Sequence, residues 1–259
     1  MTEKPTGGVQ SVERALTLLE LMAATEDGAR LSDLARSAGL AASTAHRLLT
    51  TLEQRGFAQS DAASGRWHIG QRSFAVGSAY TRQRNFVVPA LPFLRRLRDM
   101  TRETANLGVI ENGEVVTLSQ VESREIMRAI SPPGGRVPVL CSGMGKAILA
   151  TWEDAAIDRL IDRHGLRAMT PRSLTDRAAV HREIDLVRAR GYALDDEEFV
   201  LGLRCVAAVV WSPQAEAACA ISVSGLAARM TPEKVAETGA IVMRLATELT
   251  ATLGGRPPE

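Results

Sequence analysis

The chain has 259 residues, 45% of them hydrophobic and 24% charged, and a formal net charge of +1. That length exceeds the usual single domain and predicts two, and near-neutrality excludes a bulk basic field that would draw the molecule onto nucleic acid by charge alone. No apolar run is long enough to cross a bilayer, the polar start MTEKPTGG does not read as a signal peptide, and three dispersed cysteines make no disulfide framework, so a cytoplasmic protein with no membrane contact is expected.

In chain order, Ser11 is the expected cap of a first helix running to about Ala23, with Val12, Ala15, Leu16, Leu19 and Met22 facing a small core. The next segment, LSDLARSAGLAASTAHRLLTTLEQRGFAQSDAASGRWHIG over residues 31–70, reads as two short helices at a sharp turn followed by a β-hairpin. Ser32 is the expected cap of the second helix, which ends at Ala38, and Gly39 supplies a left-handed turn. The third helix starts near Ser43 and places Ala45, Leu48, Leu49 and Leu52 on one stripe; Gly56 ends it. The opposite face carries Ser43, Thr44, His46, Arg47, Thr50 and Thr51, short polar groups and one guanidinium that suit a DNA groove. Phe57 to Ser60 and Arg66 to Ile69 form the wing, from which Arg66 and His68 can reach phosphate or minor groove. Helical hairpins also occur in proteins that touch no DNA; the conjunction of cap, turn glycine, polar outer face and glycine-bearing hairpin in one short segment favours DNA reading. Over this segment Arg36, Arg47, Arg55 and Arg66 face Asp33, Glu53 and Asp61, so one copy binds weakly and a palindromic operator met by several copies is expected.

Gln71 to Arg84 reads as a helix whose Phe74, Val76 and Tyr80 are packing positions, and Phe86 to Arg102 carries Pro89 and Pro92 ahead of a basic helical run. From Thr104 the period becomes two. Asn106 to Glu111 and Val115 to Val121 form a hairpin around Asn112 and Gly113, with a third strand near Ile126 to Ile130. Helices are predicted over 143–152, 154–163 and 176–190, strands over 206–211 and 218–224, and a last helix opens with Thr231 and Pro232.

Three segments of this second half carry binding chemistry. CSGMGKAILA, residues 141–150, is a glycine-rich turn leading into a helix, whose free N–H groups suit an anion. DDEEFVLGLRC, residues 195–205, is an acidic cluster closing on Cys205, and AISVSG, residues 220–225, puts Ser222 and Ser224 on one face of a strand. A buried serine more often satisfies backbone, and a cysteine among apolar neighbours is usually inert filler. Enzyme readings fare worse. GMGK lacks the residues of a nucleotide-hydrolysis loop, because Leu140 and Ala147 stand where glycine and a hydroxyl are needed; Cys205 has no histidine at a telling spacing; and no metal-site spacing exists.

The runs SVERALTLLELMA, STAHRLLTTLEQRGF, SGMGKAILA, DDEEFVLGLRCVAA and ISVSG, in that order, resemble the isocitrate lyase regulator (IclR) family of bacterial transcription factors over residues 9–253. The resemblance implies an α+β protein: a winged helix-turn-helix DNA-binding domain over 9–70, a helical linker over 71–103 and a GAF-like α/β effector-binding domain over 104–255, assembled as a homodimer or dimer of dimers, a homotetramer. It is strongest to members that sense glyoxylate or pyruvate, and by it the effector-binding positions are Gly143, Met144, Asp195, Leu203, Cys205, Ser222 and Ser224. Met144 stands where close relatives often have a smaller residue, and either shrinks the pocket or offers only its backbone N–H. The expected function is a ligand-responsive regulator of a bacterial metabolic operon, without cofactor or catalysis, taking a small 2-oxo acid; an aromatic acid is the alternative effector, and a 2-oxo-acid enzyme using Cys205 the remote one.

Overall fold

The computed structural model describes residues 8–25, 27–82, 86–127, 129 and 132–258. The chain divides into two compact units, Met1–Gln83 and Arg84–Glu259.

The N-terminal unit holds α1 (Gln10–Ala23), a two-residue strand β1 (Ala29–Arg30), α2 (Leu31–Ser37), α3 (Ala42–Gln54), the wing strands β2 (Ala58–Asp61) and β3 (Arg66–Ile69), and α4 (Gln71–Arg82). Strand β3 lies between β1 and β2, antiparallel to both. The core is small: Leu18, Met22, Leu34, Leu49, Ala58 and Trp67 are buried together, and Leu19, Leu40, Leu48 and Leu52 pack around them. Gly39 and Gly56 both have the expected positive φ, +64° and +75°.

Three expectations are corrected here. Val12 and Leu16 are 54% and 52% exposed; α1 is rotated so that Leu18 and Met22 enter the core, a facing that two overlapping apolar stripes on one helix leave open to tertiary packing. Helices α2 and α3 start one residue earlier than read, after Arg30 and Ala41, and neither has a side-chain cap, so Ser32 caps nothing. Phe74 and Val76 on α4 are exposed rather than packed, and the side chain of Tyr80 lies outside the described residues.

The C-terminal unit opens with α5 (Val87–Thr101), which runs through both prolines. Pro89 falls in the first turn, where no intrahelical N–H bond is due, and Pro92 lies on the exposed side; Ala90, Leu94 and Leu97 face inward and are fully buried. A six-stranded sheet follows, built from β4 (Thr104–Glu111), β5 (Glu114–Val121), β6 (Arg136–Pro138), β7 (Ala193–Asp196), β8 (Leu203–Trp211) and β9 (Ala217–Leu226). Its order is β6-β5-β4-β9-β8-β7, antiparallel throughout. One face is covered by α5 and α9 (Pro232–Thr252), with Leu107, Val206, Ile221 and Val223 against Leu94, Leu245 and Leu249. The other face is covered by α6 (Gly143–Leu149), α7 (Asp154–His164) and α8 (Arg177–Arg190), with Ala193, Ala207 and Ala220 beneath Ile148, Ile157 and Ile184. Of the third strand read near Ile126 to Ile130, Ile126 and Met127 are bends and Ala129 is in no strand, while Arg128 and Ile130 lie outside the described residues; the strand that pairs with β5 on its outer side is β6. Strand β7 hides in the sequence because its ALDD pattern is acidic, and it survives as an edge strand paired on one side only.

Candidate functional site

In the N-terminal unit, α3 presents Ser43, His46, Arg47 and Thr51 as exposed side chains, with Thr44 and Thr50 half-buried beside them. Thr44, His46, Arg47, Thr50 and Thr51 border one shallow concavity, joined by Ser11 from α1. The Thr51 hydroxyl donates back to the Arg47 carbonyl at 2.9 Å, so its one proton is already used within α3. The wing is tied to α3 by Glu53, whose carboxylate accepts from the Ser60 N–H at 2.9 Å and from its hydroxyl; these bonds hold Glu53 below its ordinary pKa. Arg66 is differently placed. One nitrogen of its guanidinium donates to the Gly28 carbonyl at 2.8 Å, which ties the side chain to the turn before β1. At Gly28, with φ +71°, any other residue is strained, and a Cβ there would meet the His68 ring at 2.3 Å and force it to move.

In the C-terminal unit, the sheet register gathers side chains that are far apart in sequence. Across β4, β9, β8 and β7, Thr104, Ser224, Cys205 and Asp195 lie opposite one another in a row. The neighbouring row runs from Gln120 on β5 through Asn106 and Ser222 to Ala207. A cavity of about 120 Å³ opens over them, lined by Asn106, Thr117, Gln120, Ser142, Met144, Asp195, Leu203, Cys205 and Ser224 among others.

Of the seven expected effector residues, Met144, Asp195, Leu203, Cys205 and Ser224 therefore line one cavity. Ser222 is fully buried just behind the wall, and Gly143 abuts β8 so closely that a Cβ would lie 2.9 Å from the Cys205 carbonyl oxygen. The Met144 side chain itself forms wall and takes up space; it fits because Gly108, at a bulge in β4, has no Cβ, which would stand 3.0 Å from Met144 Cε. The start of α6 is capped by Ser142, whose hydroxyl oxygen accepts the Gly145 N–H at 3.4 Å. Thr104 accepts the Ser123 N–H at 3.1 Å and donates to the Ala129 carbonyl at 2.9 Å, which ties Ala129, itself part of the cavity lining, to β4.

The electrostatics are those of a desolvated site. Asp195 Oδ1 accepts the Glu198 N–H at 2.8 Å, yet burial, aided by the Glu198 carboxylate and opposed by Lys146, pushes Asp195 up to about 7. Burial and the Asp195 charge likewise push the Cys205 thiol up to about 11, so it is a neutral thiol and no ready nucleophile. Lys146 is fully buried, with Nζ 2.6 Å from Glu198 Oε1 and 3.4 Å from Glu183 Oε1, while Glu198 Oε2 is buried without a partner. Burial raises Glu198 against the pull of Lys146.

Sequence reasoning missed Asn106 and Gln120. The signal was there: each is an amide side chain in a largely buried strand, in ANLGV and LSQV. It becomes a site only when the register sets the two opposite each other and Asn106 beside the serines. Among the described residues no His, Cys, Asp and Glu group could hold a metal ion, and no helix is long and apolar enough to cross a membrane.

Comparison with known proteins covers both units. Residues 11–62 match the IclR helix-turn-helix domain, and residues 78–251 match the family described as bacterial transcriptional regulator IclR C-terminal. The transcriptional repressor IclR of Escherichia coli (strain K12) is 40% identical over 256 residues, covering 98% of this chain and 93% of the relative. The HTH-type transcriptional regulator BhcR of Paracoccus denitrificans is 41% identical over 250 residues, covering 96% and 89%. Among solved structures, the Thermotoga maritima IclR superposes with a TM-score of 0.81 at 26% identity, covering 95% of this chain and 99% of that one.

Proposed function

Because the chain belongs to the IclR family of bacterial transcriptional regulators, we propose that α3 reads an operator and that a small 2-oxo acid, such as glyoxylate or pyruvate, enters the cavity beside Ser224 and controls that binding. The observation that carries the ligand class is the size and lining of the cavity. An apolar cavity of about 150 Å³ admits benzene; at about 120 Å³, narrowed by Met144, this one suits a three- or four-carbon acid better than an aromatic one. A carboxylate is met by the hydroxyl of Ser224 at the wall, backed by Ser222 behind it, and by the start of α6 at Gly143 and Met144. A protonated Asp195 and the neutral Cys205 thiol can approach the carbonyl end, and Leu203 closes an apolar wall. No step of turnover is called for.

On the DNA side, Ser43, Thr44, His46, Arg47, Thr50 and Thr51 form the proposed reading head. Arg66 serves the wing first and phosphate second, given its bond to Gly28. With so few net charges on the unit, two or more copies on a palindromic operator supply the affinity, in a homodimer or a homotetramer.

The test is calorimetry of glyoxylate, pyruvate and benzoate with the purified protein, beside retardation of operator DNA. Heat from the 2-oxo acids with little from benzoate is expected. A Ser222→Ala, Ser224→Ala double variant should bind the acid at least tenfold more weakly, since hydrogen bonds to a charge contribute about 1.5–3 kcal/mol each. No heat from any 2-oxo acid overturns the ligand class, and equal affinity in variant and parent overturns the assignment of the serines.

A further inference from the structure

We infer that Asn106, oriented by Gln120, is a positioning residue that makes the cavity selective for a carboxylate, by holding the hydroxyls of Ser222 and Ser224 as hydrogen-bond donors. The inference deepens the proposed 2-oxo-acid reading and rests on it. Asn106 is 2% exposed and stands in the second row, between Gln120 and Ser222, with its side chain reaching Ser224 of the first. Its Nδ2, which carries two protons, lies 3.4 Å from Ser222 Oγ and 3.1 Å from Ser224 Oγ, and its Oδ1 accepts from Gln120 Nε2 at 3.0 Å. With Gln120 donating, the reverse orientation of the Asn106 amide would set two donors face to face.

A serine hydroxyl has one proton and can accept through its lone pairs. Once Asn106 donates to Oγ, the proton is left to point elsewhere. In the free site it lies within reach of the Cys205 sulfur, where hydrogen bonds from both serines partly offset the burial that keeps the thiol neutral. Ser224 lines the cavity, so the order of donation runs from Gln120 to Asn106 to serine and ends at the ligand space. A carboxylate only accepts hydrogen bonds, and a wall that only donates matches it; a primary amide of the same shape brings two donors of its own and meets that wall badly. Burial sharpens the choice, because an unmatched polar group in a desolvated site is costly.

The experiment compares each acid with its amide, glyoxylate with glyoxylamide and pyruvate with pyruvamide, by calorimetry on the full chain. The parent should favour the acid at least tenfold. Asn106→Asp is isosteric but can only accept when ionised, so it captures the serine protons; acid affinity should fall at least tenfold and the preference over amide should collapse. Gln120→Glu, at a half-buried position, draws the Asn106 amide over so that Oδ1 faces the serines, and should give the same collapse with a smaller fall. General damage to packing lowers both ligands together and leaves the ratio alone. A cooperative melt is required of each variant, and where Asn106→Asp does not fold, Gln120→Glu decides. An unchanged acid-to-amide ratio in a folded variant overturns the inference. Should the parent bind benzoate but no 2-oxo acid, the proposed ligand falls while the same ratio, taken with benzoate and benzamide, judges Asn106. A parent that binds no carboxylate overturns both.

Discussion

On α3 the polar groups stand in water: Ser43, His46, Arg47 and Thr51 are exposed, and the core beneath them is a handful of apolar side chains. Around the cavity of the C-terminal unit, Asn106, Lys146, Asp195 and Ser222 are almost wholly removed from solvent, and each is held by named hydrogen-bond partners. An exposed group contributes little to folding, so it is free to be chosen for what it touches. A buried one is part of the fold and of the site at once, and its replacement is felt in both.

The strongest way to break this contrast is Lys146→Met. The ammonium group is fully buried and sits between Glu198 and Glu183, and Glu198 already has an unpartnered oxygen. Removing one partner of a buried ion pair costs about 3–5 kcal/mol, because the other charge is stranded. Urea unfolding should show a loss on that scale, and adding Glu198→Gln should restore a good part of it. A midpoint equal to the parent's in the single variant would mean the pair is not buried as described.

In the N-terminal unit, Leu49→Ala should cost about 2–5 kcal/mol, since Leu49 is fully buried in a core too small to collapse around the void. The paired control is Leu16→Ala, at 52% exposure in the single chain, which should move stability by no more than roughly 0.5 kcal/mol. Equal effects at the two positions would restore the helix facing that the α1 stripe alone implied.

That control marks where the sequence stops being readable. Elements set by neighbours in the chain were legible: Gly39 and Gly56 at positive φ, the Asn112–Gly113 hairpin, the wing, and Thr231 capping α9 by accepting the Lys234 N–H. The facing of α1 was not, because its apolar residues cover more than one stripe and only packing against α2, α3 and β3 selects Leu18 over Leu16. Val87 and Ala90 begin a helix that the prolines seemed to postpone, since burial on one side outweighs one lost hydrogen bond on the other. In the cavity, Asp195, Cys205 and Ser224 were picked out separately, by composition and by resemblance. That they form one cross-strand row with Thr104, and that Asn106 and Gln120 stand in the next, depends on register between distant strands, which no local pattern encodes.

A smaller effect is expected at Arg47, where the exposed side of the comparison is tested. Arg47→Ala should leave the melt unchanged and weaken operator binding, because a well-placed guanidinium contact to a base is worth about 1–3 kcal/mol of discrimination, or roughly tenfold and upward. Arg66→Ala should behave otherwise, lowering stability as well as DNA affinity, since its guanidinium holds the Gly28 carbonyl. Retardation and melting of both variants separate the two roles; unchanged operator affinity in Arg47→Ala would remove it from the reading head.

The mildest prediction concerns pH. Asp195 is pushed up to about 7 by burial and by Glu198, with Lys146 opposing; from β7 it faces the Cys205 thiol of β8, which at about 11 stays neutral through the range of interest. Folding first: the unfolded Asp titrates near 3.9, so between about 4 and 7 the folded chain holds the extra proton, and this residue's contribution to stability falls as pH rises through that window. Ligand binding has the same sign. A carboxylate entering beside an ionised Asp195 is repelled, so the anion selects the protonated form. Below about pH 7 that form predominates and affinity should be nearly flat. Above it, each bound acid must take up a proton, and affinity should fall toward tenfold per pH unit. Asn at 195 keeps an oxygen able to accept the Glu198 N–H but cannot ionise, so Asp195→Asn should bind the acid with a flat profile from pH 6 to 9. Calorimetry of pyruvate in buffers of different ionisation enthalpy reads the proton uptake directly. A parent profile as flat as the variant's, with no proton taken up at pH 8, would place the ligand carboxylate away from Asp195.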